Sequence, residues 1–186
     1  FRSFLNIFDE TLAKKVELYQ EPKPIFERYN LEVEVERAMS RRVWLRSGGY
    51  LVMDQAEALT AIDVNTGKFV GRRNLEDTIL KTNLEAVREI AFQLRLRNIG
   101  GMVIIDFIDM EVEQNRHRVL SALVEALSKD KARCNVVKIS ELGLVEMTRQ
   151  RTRESLERHL CEPCFYCDGD RKSTRLNSSH QIISYA

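Results

Sequence analysis

The sequence predicts an α/β domain, a sheet with flanking helices, on three observations. Two apolar, β-branched runs each close on an aspartate: "TAIDVNTG" at Asp63 and "MVIIDF" at Asp106. Between them, Leu75 to Arg97 carries Ile79, Leu80, Leu84, Val87, Ile90, Ala91 and Leu94 as one stripe at helical spacing. A second helical stretch over 112–128 and a further β-branched run, "NVVKIS", follow. The order strand, long helix, strand, helix, strand calls for right-handed crossovers in an α/β layer.

Taken in order, residues 1–20 read as a helix, with Leu5, Phe8, Leu12, Val16 and Tyr19 three or four apart. "EPKP" ends it, because proline removes a donor and restricts its neighbour. "NLEVEVERAMSR" mixes alternation with helix formers and is read as helix. A β-meander follows: Val43–Leu45, a turn at Ser47-Gly48-Gly49, Tyr50–Asp54, a turn at Gln55-Ala56, then Leu59–Val64. Trp44 and Tyr50 are assigned to core packing, with base stacking as the rival role. Gly100 and Gly101 in "NIGG" are left-handed stops for the long helix. The unbroken "MVIIDF" and "NVVKIS" predict strands buried on both faces. Ser155 to Leu160 is a short helix ahead of a cysteine cluster.

The chain has 186 residues, 44% hydrophobic and 31% charged, enough for one ordinary domain with an appendage. No apolar run approaches the roughly 20 residues that cross a bilayer. "FRSFLNIFDE" lacks the form of a signal peptide and begins without Met, so the chain is expected to be a piece of a longer cytoplasmic protein. The net charge of +1 says nothing about partners. The closing "RKSTRLNSSHQIISYA" is Ser-rich, lacks periodicity and resembles translated sequencing-adapter read-through. It is read as a disordered tail of artefactual origin.

Cys134, inside an apolar run, reads as a buried small hydrophobe. The other three cysteines fall in "CEPCFYC", which indicates metal rather than a disulfide framework. Structural zinc takes four tetrahedral ligands. No second C-x₂-C completes a site within the chain, and His159 lies too close in sequence to be a comfortable fourth ligand. Two copies each giving one pair would make zinc a clamp between protomers. A redox pair is the rival reading and lacks a thioredoxin-like setting.

In a βαβ unit the carboxyl ends of both strands share one sheet edge, where α/β sites form. Asp63 and Asp106 end two such strands. Neighbouring strands lie about 4.8 Å apart, so the two carboxylates would repel unless a cation were present. A hard ion with few protein ligands is Mg²⁺. Asn65 can hold Asp63 by a hydrogen bond. The other reading is that Asp63 caps a turn and Asp106 caps the next helix, although Asp109 fits a helix N-cap better.

The segments "SGGYLVMDQAEALTAIDVNTGKFVGRRNLEDTILKTNLEAVREIAFQLRLRNIGGMVIIDFIDM", "EMTRQRTRESL" and "CEPCFYCDG" resemble the catalytic region of the bacterial ribonuclease E/G family, nearer the ribonuclease G type. The resemblance spans about residues 17–169. It implies a deoxyribonuclease-I-like mixed sheet with flanking helices over 41–154. A helical lead-in over 1–40 would be the remnant of an upstream ribonuclease-H-like and 5′-sensor region. A zinc-link would occupy 155–170, and the tail 171–186. It implies Asp63 and Asp106 as magnesium ligands, with Asn65 supporting Asp63. Cys164 and Cys167 would form the zinc pair shared between two protomers of a homodimer or higher oligomer, with Cys161 additional. Arg133 falls where the family has an arginine near a pocket that senses an RNA 5′ monophosphate. The S1 and 5′-sensor parts are expected upstream of Phe1.

The implied activity is Mg²⁺-dependent endonucleolytic cleavage of single-stranded RNA, leaving 5′ phosphates, in rRNA and tRNA maturation and mRNA decay. Among basic clusters, Arg149, Arg151 and Arg153 in "RQRTR" are the preferred RNA contacts, ahead of "GRRN" at 71–74 and "LRLR" at 94–97. "LRLR" reads equally as a solvated helix end. His117, flanked by arginines on a helix, is given a surface role. The rivals are a catalytically incomplete, zinc-linked RNA-binding and dimerisation fragment, and a DNA nuclease.

Overall fold

The structure is a computed structural model that describes residue 4 and residues 10–67, 75–140, 142–162 and 182–183. The chain forms two compact units, Phe1–Glu36 and Arg37–Ala186. The first holds α1 (Glu10–Ala13), α2 (Ile25–Arg28) and the start of α3 (Leu31–Met39). Helix after Ala13 stops short of the expected residue 20, and 16–21 is neither helix nor strand. A few spaced apolar residues ahead of two prolines do not repay the cost of nucleating a helix.

The second unit is built on six strands: β1 (Arg42–Trp44), β2 (Tyr50–Gln55), β3 (Leu59–Asn65), β4 (Gly101–Asp106), β5 (Cys134–Ile139) and β6 (Leu144–Arg149). They lie in the order β1-β2-β3-β4-β6-β5. Only β3 and β4 run parallel; every other neighbouring pair is antiparallel. The meander, the long helix α4 (Leu75–Leu96) and the helix α5 (Glu113–Ser128) stand where the periodicity placed them. A short α6 (Leu156–Leu160) precedes β7 (Cys161–Glu162), which pairs with β8 (Ile182–Ile183).

Two expectations about the sheet are corrected. First, β6 was not foreseen. It enters between β4 and β5, so the strand after α5 is not β4's neighbour. Second, among the described residues the sheet is covered on one face only. Val43, Leu51, Met53, Ile62, Val64, Val103, Ile105, Val145 and Met147 point inward and share one core with Val87, Ile90 and Leu94 of α4 and Val119 and Leu123 of α5. The alternate residues, among them Ala61, Asp63, Met102, Asp106, Glu146 and Thr148, are exposed. Continuous apolar sequence at β4 therefore marks a strand with an apolar outer residue, Met102, rather than one buried twice.

The stop of α4 is also not the one expected. Asn98, at φ 50°, is its left-handed residue. The N–H of Ile99 donates to the Leu94 carbonyl at 3.0 Å and that of Asn98 to Arg95 at 3.2 Å, the paired bonds of a Schellman ending. Gly100 serves a different need. A Cβ there would stand 2.6 Å from Cγ of Arg151 and 3.0 Å from its Cα.

Two arginines assigned by sequence to possible RNA contact are buried. Arg97 donates to the carbonyls of Ser40 and Arg37 and to Oε1 of Gln93. Burial pushes its guanidinium pKa down, against the attraction of Glu157 and Glu89. Arg149 is 5% exposed. Its Nε donates to Oδ2 of Asp130 at 2.8 Å and its Nη1 to the Ile99 carbonyl at 2.8 Å. Both side chains of the Arg149–Asp130 pair are almost wholly buried. This guanidinium is committed to tying the β5–β6 hairpin to the end of α4.

Burial alone would raise the Asp130 carboxyl, but hydrogen bonds from Arg149 and the Ala132 N–H, with the charges of Arg149 and Arg95, outweigh it and hold it below its ordinary value. Stability from this pair is therefore complete above the unfolded carboxyl value, about 3.9, and is lost as pH falls through the lower native value. Asp130→Ala, which strands Arg149, is expected to lose about 3 kcal/mol or more in urea unfolding at pH 7. The gap to the unsubstituted chain should narrow below about pH 4. A gap that persists unchanged in acid would contradict the ion-pair account.

Candidate active site

Strand register sets the site. In the parallel β3–β4 ladder Asp63 stands directly opposite Asp106, the last pair of the ladder. Both residues are exposed on the uncovered face. Adjacent strands are about 4.8 Å apart, so the two carboxylates are held as neighbours by backbone geometry alone. Nδ2 of Asn65, two residues along the same face, donates to Oδ2 of Asp63 at 2.7 Å. Partial burial, then the charges of Asp63 and Asp109, push the Asp106 carboxyl pKa above its ordinary value. Among the described residues no ion pair from Lys, Arg or His reaches these carboxylates. Among the described residues no group of three His, Cys, Asp or Glu side chains closes into a metal cage. Two carboxylates on an open face suit a hard cation that keeps most of its water, and suit poorly an ion needing a full protein shell.

The loops that carry these residues are pinned from the covered side. Glu85 of α4 accepts from the N–H groups of Arg46 and Ser47, fixing the β1–β2 turn. That turn interlocks with the end of β3. A Cβ on Gly49 would come within 2.6 Å of the Asn65 carbonyl, and one on Gly67, at φ 72°, within 2.2 Å of the Gly48 carbonyl. Asn83 of α4, fully buried, donates to the Ile108 carbonyl at 2.9 Å and accepts from the Ile108 N–H at 3.2 Å. It thereby holds the segment that leaves Asp106. The signal for it lay in the sequence: an amide in the middle of the apolar stripe Leu80, Leu84 and Val87.

Asp109 does not cap α5, whose N-cap is Val112 without a side-chain bond. Glu76 of α4 takes that part, accepting from the Val112 N–H at 3.3 Å and from Nδ2 of Asn115 at 2.8 Å. Asp109 instead lies near enough to Asp106 for its charge to help raise that carboxyl's pKa.

The remaining expected site residues fall elsewhere. Arg149 and the residues after it leave the sheet where β6 pairs with Gly101, and Cys134 pairs with Arg149 there as well. Arg133, Arg151 and Arg153 therefore lie at the end of the sheet opposite Asp106, about 17 Å away along β4. Arg133 lines a cavity of about 440 Å³ with Val124, Leu127 and Val136. Arg153 lines another of about 490 Å³ with Arg95 and His159. His117 is exposed, 3.7 Å from Glu113 one turn away, in the surface role expected. Cys134 is half-buried and packs against the core, and burial pushes its thiol pKa up. Trp44 is corrected: it is 60% exposed on the open face, not in the core. Cys164, Cys167 and the basic cluster at 71–74 lie outside the described residues, as does the Cys161 side chain.

Comparison with known proteins agrees on one group. The profile described as the Ribonuclease E/G family matches residues 1–152. Ribonuclease G of Haemophilus influenzae is 53% identical over 168 residues, 90% of this chain and 34% of the relative. Ribonuclease G of Escherichia coli K12 is 54% identical over 166 residues, 89% of this chain and 34% of the relative. Ribonuclease E of the same strain is 44% identical over 155 residues, 82% of this chain and 15% of the relative. The chain thus spans about a third of the ribonuclease G proteins it matches.

Asn83→Leu would strand the Ile108 amide and carbonyl in the core. It is expected to cost about 2 kcal/mol or more by urea unfolding, with amide exchange at Ile108 accelerated well beyond that of β2. Gly67→Ala forces a left-handed alanine into the Gly48 carbonyl, and about 1–3 kcal/mol of destabilisation is expected.

Proposed function

The chain belongs to the ribonuclease E/G family, and on that premise we propose that it carries the cleavage centre of a Mg²⁺-dependent endoribonuclease acting on single-stranded RNA. The observation that carries the reading is the direct pairing of Asp63 with Asp106 on the open face, with Asn65 bonded to Asp63. Asp63 and Asp106 are the residues that would hold the ion. A divalent cation so bound supplies Lewis acidity, offsetting phosphate charge and lowering the pKa of water.

The chain's own part is positional. The β3–β4 ladder sets the carboxylate spacing, Asn65 fixes the rotamer of Asp63, and Asn83 holds the backbone beyond Asp106. No histidine of the described residues stands at the pair, so no side chain of that kind is offered as general base. Products with 5′ phosphate ends, a deoxyribonuclease-I-like origin of the sheet, a cytoplasmic setting and roles in rRNA, tRNA and mRNA processing belong to the same proposal. No helix among the described residues is long and apolar enough to cross a membrane. Arg133, Arg151 and Arg153 would follow the RNA backbone at the far end of the sheet. Arg149, buried against Asp130, is left out of that set.

On the family resemblance of "CEPCFYCDG", Cys164 and Cys167 are proposed as one half of a zinc site shared by two protomers, with Cys161 as an additional candidate ligand. A second reading has its own support. Arg133 and Arg153 line two cavities at the sheet end remote from Asp106, a surface that would hold RNA without cutting it while the cysteine pair joins two protomers.

One assay separates the two. The chain is incubated with a 5′-monophosphorylated single-stranded RNA, with and without Mg²⁺. Cleavage that needs Mg²⁺ and disappears in Asp63→Asn, while RNA binding is kept, is the expected result. Binding without cleavage selects the second reading, and preferential cleavage of a DNA strand would contradict the RNA assignment. Asn65→Ala is expected to lower activity by about 10- to 100-fold, as loss of an orienting partner does. Elemental analysis beside native mass should give about half a zinc per chain in a dimer, since one tetrahedral site takes both pairs.

A further inference from the structure

The open face carries a second cluster besides the acids. Arg42 and Trp44 are two residues apart on β1 and so project to one side. Trp44 pairs with Tyr50, and Tyr50 with Asn65. The two rings lie 5.3 Å apart at 60°. The Arg42 guanidinium sits 4.5 Å from the Tyr50 ring centre and 5.7 Å from that of Trp44. Arg42 in turn pairs with Val52, Val52 with Asp63 and Asp63 with Asp106. Cation, aromatic rings and acids therefore share one face. Asp63 is two strand spacings from Arg42, about 10 Å.

An indole 60% exposed presents an apolar plane to solvent. Beside it the guanidinium is planar, permanently charged and weakly hydrated. Among the described residues no carboxylate pairs with Arg42. The occupant this chemistry selects offers a flat π-face to the rings and a negative charge to the arginine. A nucleobase with its own phosphate does both, and base–aromatic stacking tolerates any sequence. The cluster is continuous, along one row of cross-strand partners, with the place assigned to the phosphate being cut.

We infer that Arg42, Trp44 and Tyr50 form a base-stacking subsite for single-stranded RNA, seating a base of the strand whose phosphate lies at Asp63 and Asp106. This rests on the nuclease reading of that pair. The subsite fixes where along the strand the acids fall, so it governs substrate binding and leaves the chemical step alone.

Trp44 is the chain's single tryptophan, so its emission reports the subsite without labelling. The chain is titrated with a single-stranded RNA oligonucleotide in EDTA, where no cleavage occurs, while anisotropy of a label on the RNA follows binding. Saturable quenching of the indole is expected, with an oligonucleotide of abasic residues binding without it. Trp44→Ala should weaken binding about tenfold, with Trp44→Phe restoring most of the loss. In a cleavage assay Trp44→Ala should raise KM and leave kcat nearly unchanged. Binding with no change in emission, equal quenching by the abasic strand, or unaltered affinity in Trp44→Ala overturns the inference. So does emission that shifts with protein concentration in step with dimerisation, which gives the face to a second copy. Quenching that persists in a chain unable to cleave keeps the subsite and counts against the nuclease reading alone.

Discussion

One parallel ladder governs this molecule. A sheet in which all other neighbours are antiparallel has a single parallel pair, β3 and β4, and that pair ends with Asp63 facing Asp106. Parallel neighbours need a long crossover, and α4 supplies it. The helix does more than connect. Its Glu76, Asn83 and Glu85 reach the α5 N-terminus, the segment after Asp106 and the β1–β2 turn. One helix thus connects the two strands that carry the acids and pins the loops on either side of them.

Covering the sheet on one face has a chemical consequence. Residues alternate along a strand, so each inward Ile62 or Ile105 commits its neighbours Asp63 and Asp106 to the outside. Both aspartates, Asn65, Arg42, Trp44 and Tyr50 lie on that outer face because their partners fill the core. The negative potential around Asp106, strengthened by Asp109, and the cationic aromatic cluster of β1 and β2 sit on one surface within a few strand widths. Phosphate and base would be addressed by different parts of a single face. The arginines at 133, 151 and 153 occupy the sheet's other end, so a polynucleotide touching both regions would have to run along the strands.

Much of this was legible in the residues, for identifiable reasons. Strong local signals carried well. The helical period from Leu75 to Arg97 and the Gly-rich turn of the meander placed α4 and β1 to β3 nearly to the residue. The aspartate pair followed from strand ends in a βαβ unit. Other features were hidden because tertiary packing overrode local pattern. β6 was missed since its inward positions include Arg149, a charge no alternation rule places in a core; its partner Asp130 lies 19 residues back. Gly100 looked like a helix stop because glycine usually is one there, but Asn98 took that φ and Gly100 makes room for Arg151. Trp44 was assigned to the core by its residue type, although its register on β1 sends it outward. Asn83 was readable as a polar interruption of an apolar stripe, yet only the fold shows that it serves Ile108.

Cleavage at this site requires that the two carboxylates bind one hard cation together. Mn²⁺ takes oxygen ligands as Mg²⁺ does and is directly visible by electron paramagnetic resonance. In a titration of the chain with Mn²⁺, depletion of the free-ion signal should reveal a saturable site that Mg²⁺ competes away. That site should vanish in both Asp63→Asn and Asp106→Asn, with the fold unchanged by circular dichroism. A Mn²⁺ site that survives either substitution, or no site at concentrations where RNA is cleaved, would contradict the shared grip of Asp63 and Asp106.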